Sequence, residues 1–485
     1  MYSEIVCRIS LAMALLCGLP HIAHAQRAQG LGHPLRFTVM DRTRVDAWQW
    51  FAAPPAQNSY GYVESLLRIG AGQQFHRWDW KLELSQPSIL DAPGNAIGAG
   101  PGQGQLGLGA SYYAANGNSY PAAAFFKQGY VDFLKKDASL RVGRFEFAAG
   151  AEGKPADPTI AWLQHQRIAQ RLLGSFGFSD AQRSFDGASF SSQLGRFNLT
   201  AFAARADQGV FNMNGNPELN VDVQYLALTE PIGRHILWRA FAIGYHDGRT
   251  GVTKVDNRGA SLLSADHKNI RMGTYGGNFL ATLPDGPGEF DFLFWGVGQN
   301  GSWGELSQSA AAVAVEAGYQ LSNVATKPWL RGGWFRSTGD DDPTDHVHNT
   351  FFQVLPTPRI YARIPFYNLM NNTDGFVQMM DQPTKKLALR SELHWVKLTS
   401  PHDLWYLGGG AFDNKVFGFV GRPASGATSL ASVADVDANW HAMKSVDLDF
   451  YYGFAQGKSV VRAIYPEDRN LQYGFVQVVY HWSRN

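Results

Sequence analysis

The sequence predicts an all-β protein: a single transmembrane antiparallel β barrel of about 18 strands, with long extracellular loops and short periplasmic turns. Three observations carry this. Apolar and polar residues alternate from one end to the other, connection lengths alternate with their parity, and both cysteines lie in an export leader.

The leader is Met1–Ala25. One basic residue, Arg8, precedes the apolar run Ile9–Leu19, then Pro20 and the small-x-small site Ala23-His24-Ala25, the layout of a cleaved signal peptide. Glu4 offsets Arg8, and a lipoprotein anchor on Cys17 is the rival reading, disfavoured by the bulky Leu16 before it. Cys7 and Cys17 both leave with this segment, so the domain of residues 26–485 uses no disulfide in an oxidising compartment.

Of 485 residues, 45% are apolar and 13% aromatic, with 14 Trp, 31 Phe and 19 Tyr. The mean hydropathy of -0.22 looks soluble, and beyond the leader no apolar stretch reaches the ~18–20 residues of a membrane-spanning helix. A barrel reconciles the two, because its strands conceal apolar character by alternation, apolar toward lipid and polar toward the lumen. The formal charge of +1 excludes the basic footprint of a nucleic-acid binder.

Alternation is clear in Arg77–Ser85, where Trp78, Trp80, Leu82 and Leu84 oppose Arg77, Asp79, Lys81, Glu83 and Ser85. It recurs in Lys386–Leu398 and Val446–Ala455. Aromatics at strand ends (Tyr60 and Tyr62, Trp78 and Trp80, Tyr451 and Tyr452, Tyr480 and Trp482) read as interfacial girdles. The pattern places strands near 35–47, 59–70, 76–86, 125–135, 138–147, 182–191, 194–205, 220–230, 235–247, 268–281, 287–298, 309–320, 326–336, 386–398, 405–411, 431–442, 445–456 and 470–483. Odd connections such as 87–124, 148–181, 337–385 and 412–430 are long, whereas even ones such as Ala71–Phe75, Lys136–Asp137, Pro231–Arg234 and Thr399–Leu404 are short. A soluble sandwich has no reason to sort loops this way. The last strand presents Gly474, Val476, Val478, Tyr480 and Trp482 on one face, with Ser483-Arg484-Asn485 beyond it.

With these strands placed, the chain resembles members of the alginate export family of outer-membrane porins. The resembling blocks are Leu140-Arg141-Val142-Gly143-Arg144-Phe145-Glu146-Phe147 through Arg167-Ile168-Ala169-Gln170-Arg171-Leu172 to Arg183-Ser184-Phe185-Asp186-Gly187. Pro328-Trp329-Leu330-Arg331-Gly332-Gly333 with Ser337-Thr338-Gly339-Asp340 is the second. Leu355-Pro356-Thr357-Pro358-Arg359 through Asn368-Leu369-Met370-Asn371 is the third, and Asp403-Leu404-Trp405-Tyr406 with Gly408-Gly409 the fourth. The resemblance implies an eighteen-stranded barrel with a charged lumen that passes polysaccharide or other solutes. It departs from the best-known alginate exporters in one place: only a tight turn near Met443–Lys444 stands where a periplasmic cover would lie.

Enzyme motifs fail on context. Gly102-Gln-Gly104-Gln-Leu-Gly107 lies in a Pro/Gly/Ala-rich loop, Gly457-Lys458-Ser459 follows a strand into a turn, and there is no HExxH, GxSxG or Cys pair. The expectation is therefore a non-enzyme without cofactor, although a scattered Ser/His/Asp set can form in space among 14 His. One loop, with Asp340, Asp342, Asp345 and His346, is a candidate for a structural cation, against the commoner reading of a solvated acidic rim.

The cationic set Arg144, Arg167, Arg171, Arg183, Arg359 and Arg363 carries the transport reading. Asp157-Pro158 predicts a capped helix over Thr159–Leu173, which places Arg167 and Arg171 on one face. Tucked into the lumen, these arginines would meet an anionic chain through many weak contacts. Arg390 among the inward strand residues, Arg331 from the second resembling block, and the acidic Glu146 and Asp186 complete the expected path. The alternative is that the arginines pair with Glu146, Asp180, Asp186 and Glu152 and lock the loop. The inward cations Arg36, Arg42, Arg44, Arg68, Lys81, Arg141 and Arg205 are likewise matched by acids such as Asp46, Glu64, Glu83, Glu392, Asp435 and Asp437. The expected partners are outer-membrane lipid, an anionic polysaccharide or oligosaccharide and a periplasmic export partner, around a monomer. An uptake or general porin, a barrel enzyme and a secreted soluble β protein are the alternatives.

Overall fold

The computed structural model describes residues 33–357 and 360–484. The leader Met1–Ala25, and with it the Cys17 anchor, lies outside the described residues, as does Arg359. Eighteen strands close one antiparallel barrel. They are β1 Arg36–Gln49, β2 Ser59–Gln74, β3 Trp78–Leu90, β4 Phe125–Lys135, β5 Ala138–Phe145, β6 Phe185–Leu194, β7 Phe197–Asp207, β8 Glu218–Ile232 and β9 Ile236–Asp247. The second half comprises β10 Ile270–Asp285, β11 Gly288–Trp303, β12 Leu306–Gln320, β13 Trp329–Ser337, β14 Asn372–Thr384, β15 Leu387–Leu398, β16 Ser429–Met443, β17 Val446–Gly457 and β18 Asn470–Arg484. Each pairs with its chain neighbour, and β18 returns to β1 in register, with Asp46 opposite Phe475 and Phe37 opposite Arg484. Closure removes the unpaired edges that hydrocarbon cannot tolerate.

Alternation places the charged residues Arg42, Arg44 and Asp46 of β1 inward, as expected; they and Trp48 are buried, while Val45 and Ala47 face out. Outward apolar residues such as Leu84, Phe126, Phe279, Phe294, Val377, Leu393 and Val476 stay exposed and form the lipid-facing band. Trp78, Trp440 and Trp482 face out near the short-turn rim, but Tyr62 and Tyr451 point inward and are buried, so they belong to the interior rather than a girdle.

Connection parity holds, with two corrections. The turns 136–137, 195–196, 286–287, 385–386 and 444–445 share one rim, whereas 91–124, 146–184, 248–269, 338–371 and 399–428 leave the other. The expected strand 405–411 is not in the wall. Leu404–Gly408 pairs with Phe419–Pro423 as a hairpin inside the long 399–428 connection, so Thr399–Leu404 is not a turn of the short rim. That hairpin is apolar on both faces because loops bury it: Trp405 and Tyr406 are both inaccessible. The wall strand in its place is β14, within the stretch expected to be loop. Its alternation is diluted, since Gly375 sits on the lipid side and Phe376 on the luminal side. On the long-loop rim β11 and β12 run on to a tight turn at 304–305 where a longer loop was expected.

The interior is filled at the long-loop end. Phe351, Phe352, Val354 and Leu355 pack with Trp303, Phe417 and Phe419, and Trp50, Phe51, Phe366, Trp405 and Tyr465 form a neighbouring cluster. Inward Ala310, Ala312 and Ala314 on β12 are small enough to let these loop side chains approach the wall. Gly107 shows the same economy. It opens a helix, Leu108–Asn116, with φ 106°, and a Cβ there would meet the Tyr60 hydroxyl and the Trp48 ring.

Candidate functional site: the charged lumen and its inserted loops

Two long loops occupy the lumen. The first leaves β5 at Phe145, and its helix starts where Asp157 accepts hydrogen bonds from the backbone N–H groups of Thr159 and Ile160. The helix is shorter than the expected Thr159–Leu173: Pro158–Leu163 is α-helical, Gln164–Ile168 forms a π turn, and Gln170 adopts a positive φ of 61°. A π turn marks a place where side-chain demands override regular helix. Here it brings Arg167 and Arg171 together, the Arg171 Nε donating to the Arg167 carbonyl at 3.0 Å.

The second loop, 338–371, runs alongside. Leu173 and Leu355 bridge in parallel; Leu355 donates to the Leu172 carbonyl, Gly174 to the Leu355 carbonyl and Thr357 to the Gln170 carbonyl, each at 2.9 Å. Arg183 fastens a third segment to this pair. It is wholly buried, and its terminal nitrogens donate to the carbonyls of Gly174, Leu355, Gly409 and Ala411 at 2.9–3.2 Å. Burial pulls its pKa down to about 10, so the guanidinium still donates from every nitrogen that these carbonyls use.

An ionic row joins the loops to the wall. Arg331 on β13 bonds Asp291 and Glu316 at 2.9–3.0 Å. Glu316 also faces Arg167 at 3.5 Å and Arg171 at 3.9 Å. Arg167 donates to Glu392 at 2.9 Å and to the Ile360 carbonyl, and its π-faced surroundings include Trp162, Tyr361 and Phe376. Arg390 bonds Asp437 at 2.6 Å, and Arg363 in the second loop reaches Asp449 at 3.0 Å and Asp437 at 3.7 Å. Past the closing strand, on β1–β3, Arg42 holds Asp180, Arg44 holds Asp46, and Arg68 holds Glu83 and Glu146. Near the rim Arg144 grips Asp186 at 2.7 Å and reaches the carbonyls of Gly215 and Asn216.

The expected path residues therefore divide. Arg167, Arg171, Arg183 and Arg331 are fully buried, while Arg144, Arg363 and Arg390 keep solvent contact. The pairing Arg144–Asp186 matches the loop-locking alternative, but Glu146 is held by the wall residue Arg68, and the partners of Arg167 and Arg171 are Glu316 and Glu392, not the acids of their own loop. Glu316 was not among the candidates. It is the lone charge in the strand Leu306–Gln320, on the inward phase of the alternation, and that is the signal the sequence carries for it.

The acidic loop does not converge on a point. Asp340 is buried and accepts from the Asp342 N–H, Asp342 caps Thr344, Asp345 caps Val347, and Asp342, Asp345 and His346 are exposed. Burial pushes the Asp340 carboxyl up to about 7, with Asp403 and Asp345 adding repulsion. The Gly102–Gly107 segment makes a short hairpin with Ile97–Gly98, with no parallel βαβ frame for a nucleotide.

Comparison with known proteins agrees with this architecture. The alginate export family model matches residues 112–471. Among solved structures, Acinetobacter baumannii OccAB2 superposes with a TM-score of 0.58 at 10% identity, covering 93% of this chain and 98% of that one. Pseudomonas aeruginosa OpdK, an outer membrane protein, gives 0.56 at 7% identity, covering 93% and 99%. No curated protein matches the sequence at a significant level. At these identities the structural likeness speaks to fold, whereas the family match spans most of the chain. The protein belongs to the alginate export family and is a β-barrel channel of the Gram-negative outer membrane.

Proposed function

We propose that this channel passes a hydrophilic anionic solute passively, a carboxylate-bearing polysaccharide or its oligomers. The supporting observation is the luminal row in which guanidinium and carboxylate groups alternate, Asp291, Arg331, Glu316, Arg167, Glu392, Arg390, Asp437, Arg363 and Asp449. Arg390 and Arg363, the guanidiniums of this row that solvent reaches, each already hold a carboxylate, so an incoming uronate exchanges there for a wall partner and never meets a bare cationic trap, while buried Arg331 and Arg167 keep their partners. That supports sliding over capture. Arg141, Arg144 and Arg363, which solvent reaches, are the first groups such a chain would touch.

Liposome swelling tests this. Uronic-acid oligomers should enter faster than neutral oligosaccharides of equal length, and equal rates would remove the anionic cargo. A second reading, uptake of small solutes, draws on the two loops that fill the lumen and leave little bore for a polymer. One OpdK structure is described as a complex with vanillate, a small carboxylate. Swelling by small aromatic acids with none by oligomers would favour it.

A further inference from the structure

We propose that Glu392, His394 and Asp435 form a site for one resident divalent transition-metal ion of the Zn2+ or Mn2+ type, set in the luminal wall. Glu392 on β15 and Asp435 on β16 are direct cross-strand partners, and His394 lies two residues along on the same inward face. One ligand atom from each lies within 4.8 Å of the others, and all three residues are buried. Like charges placed directly opposite on neighbouring strands repel, so this pair calls for a cation between them.

The hydrogen bonding leaves the right atoms free. Glu392 Oε1 accepts from Arg167 at 2.9 Å and from Gln378, and Oε2 has no hydrogen-bond partner among the described residues, with Arg390 Nε facing it at 3.9 Å, beyond hydrogen-bond reach. His394 Nδ1 lies 3.0 Å from Asp374 Oδ2. A carboxylate only accepts, so Nδ1 carries the hydrogen and the Nε2 lone pair points away; Nε2 too is buried without a partner. A carboxylate behind the imidazole is the arrangement that orients metal-binding histidines. Asp374 is itself held by the Tyr367 hydroxyl at 3.0 Å, and the ring stacks on Phe376. Asp435 Oδ2 accepts from the Tyr451 hydroxyl at 2.9 Å and from the Arg363 backbone N–H at 3.3 Å, and no guanidinium among the described residues pairs with the carboxylate.

Charge points the same way. Around this point Asp374, Glu392, Asp435, Asp437 and Asp449 outnumber Arg167, Arg363 and Arg390, and Arg167 is shared with Glu316. A divalent ion restores the balance. An imidazole with two carboxylates suits Zn2+ or Mn2+, whereas Ca2+ and Mg2+ prefer oxygen throughout. The rival occupant is a proton on His394. It leaves Nε2 3.9 Å from Glu392 Oε2, too far for a hydrogen bond. A metal on Oε2, with Arg167 on Oε1, would clamp the wall to the inserted loop through one carboxylate.

The test uses the full-length folded barrel in detergent, stripped with chelator and titrated with Co2+. The expected result is one visible d–d absorption band saturating at one equivalent, with X-ray absorption reporting a single imidazole among oxygens, and Zn2+ displacing it. Asp374→Asn should weaken Co2+ binding about 10- to 100-fold, and His394→Gln should abolish the band. His441, Asp447 and His481 lie close together on the exposed short-turn rim, so His441→Gln is the control. No band in the wild type overturns the proposal. So does a shell with two imidazoles, or a band lost in His441→Gln and kept in His394→Gln. The wild-type spectra decide the matter even if a lumen variant fails to fold.

Discussion

Arg167 and Glu392 meet at 2.9 Å with both side chains wholly buried, one on an inserted loop and the other on the barrel wall. The pair joins an element that fills the lumen to an element that defines it. A buried ion pair is weak evidence for net stability, yet removing one partner strands the other. That asymmetry makes the contact a latch.

Replacing Arg167 with methionine leaves Glu392 and Glu316 short of a counter-charge, which should cost about 3–5 kcal/mol of loop anchoring. Single-channel conductance should rise or become noisy as the loop leaves the wall. Adding Glu392→Gln should restore part of the loss, as read in thermal unfolding; an unchanged conductance in both variants sinks the latch.

Arg183 is a different kind of fastener, serving four carbonyls from three loop segments. Lysine keeps the charge but not the planar fork. Arg183→Lys should therefore increase protease cleavage within 174–183, 353–357 and 409–411 together, while heat-modifiable barrel mobility on gels is retained. Cleavage confined to one segment would show that they are not tied.

The Asp340 carboxyl titrates near 7 in the folded loop against 3.8 in an ordinary one. Its folded pKa is raised, so the folded loop binds the proton more tightly than the unfolded chain. This contribution to loop stability is complete below about pH 4 and falls as pH rises to about 7. Hydrogen exchange of 338–350 should quicken across that window relative to Asp340→Asn, in which the carboxyl no longer titrates. Parallel pH profiles would contradict it.

Phe294 sits mid-strand on the lipid side of β11, half exposed, whereas its neighbour Leu293 points inward and is buried. Phe294→Arg should cost about 2–4 kcal/mol at the bilayer midplane, measurable as a lower folded fraction in lipid vesicles. Ser307→Arg, on the outward face but beside the 304–305 rim turn, should cost about 0–1 kcal/mol.

Much of this was legible in the residues, because a barrel writes its geometry into a period of two. Trp78, Leu82 and Leu84 against Asp79, Lys81 and Glu83 specify a wall strand without any tertiary knowledge. The reading failed where two surfaces ceased to differ. Leu404–Gly408 is apolar on both faces because loops enclose it, so it passed for a wall strand, and β14 carries glycine where lipid-facing bulk would announce it. The Asp157 cap is a local signal and was readable; the end of that helix was not, because Arg167 is drawn to Glu316 and Glu392 by contacts 149 and 225 residues away in sequence. Pair identity across a lumen depends on register and loop insertion, which no short window of sequence contains.

The seam between β1 and β18 has a consequence for biogenesis. Its facing residues, such as Phe37 and Arg484, belong to the first and the last strand of the wall, so closure of the cylinder waits on both. Until β18 arrives, β1 and β17 are raw edges with unmet amides, each able to recruit a foreign strand. A chain shorn of β18 should therefore accumulate as an adhesive intermediate in the periplasm, and a synthetic peptide of its sequence should be able to zip the gap shut.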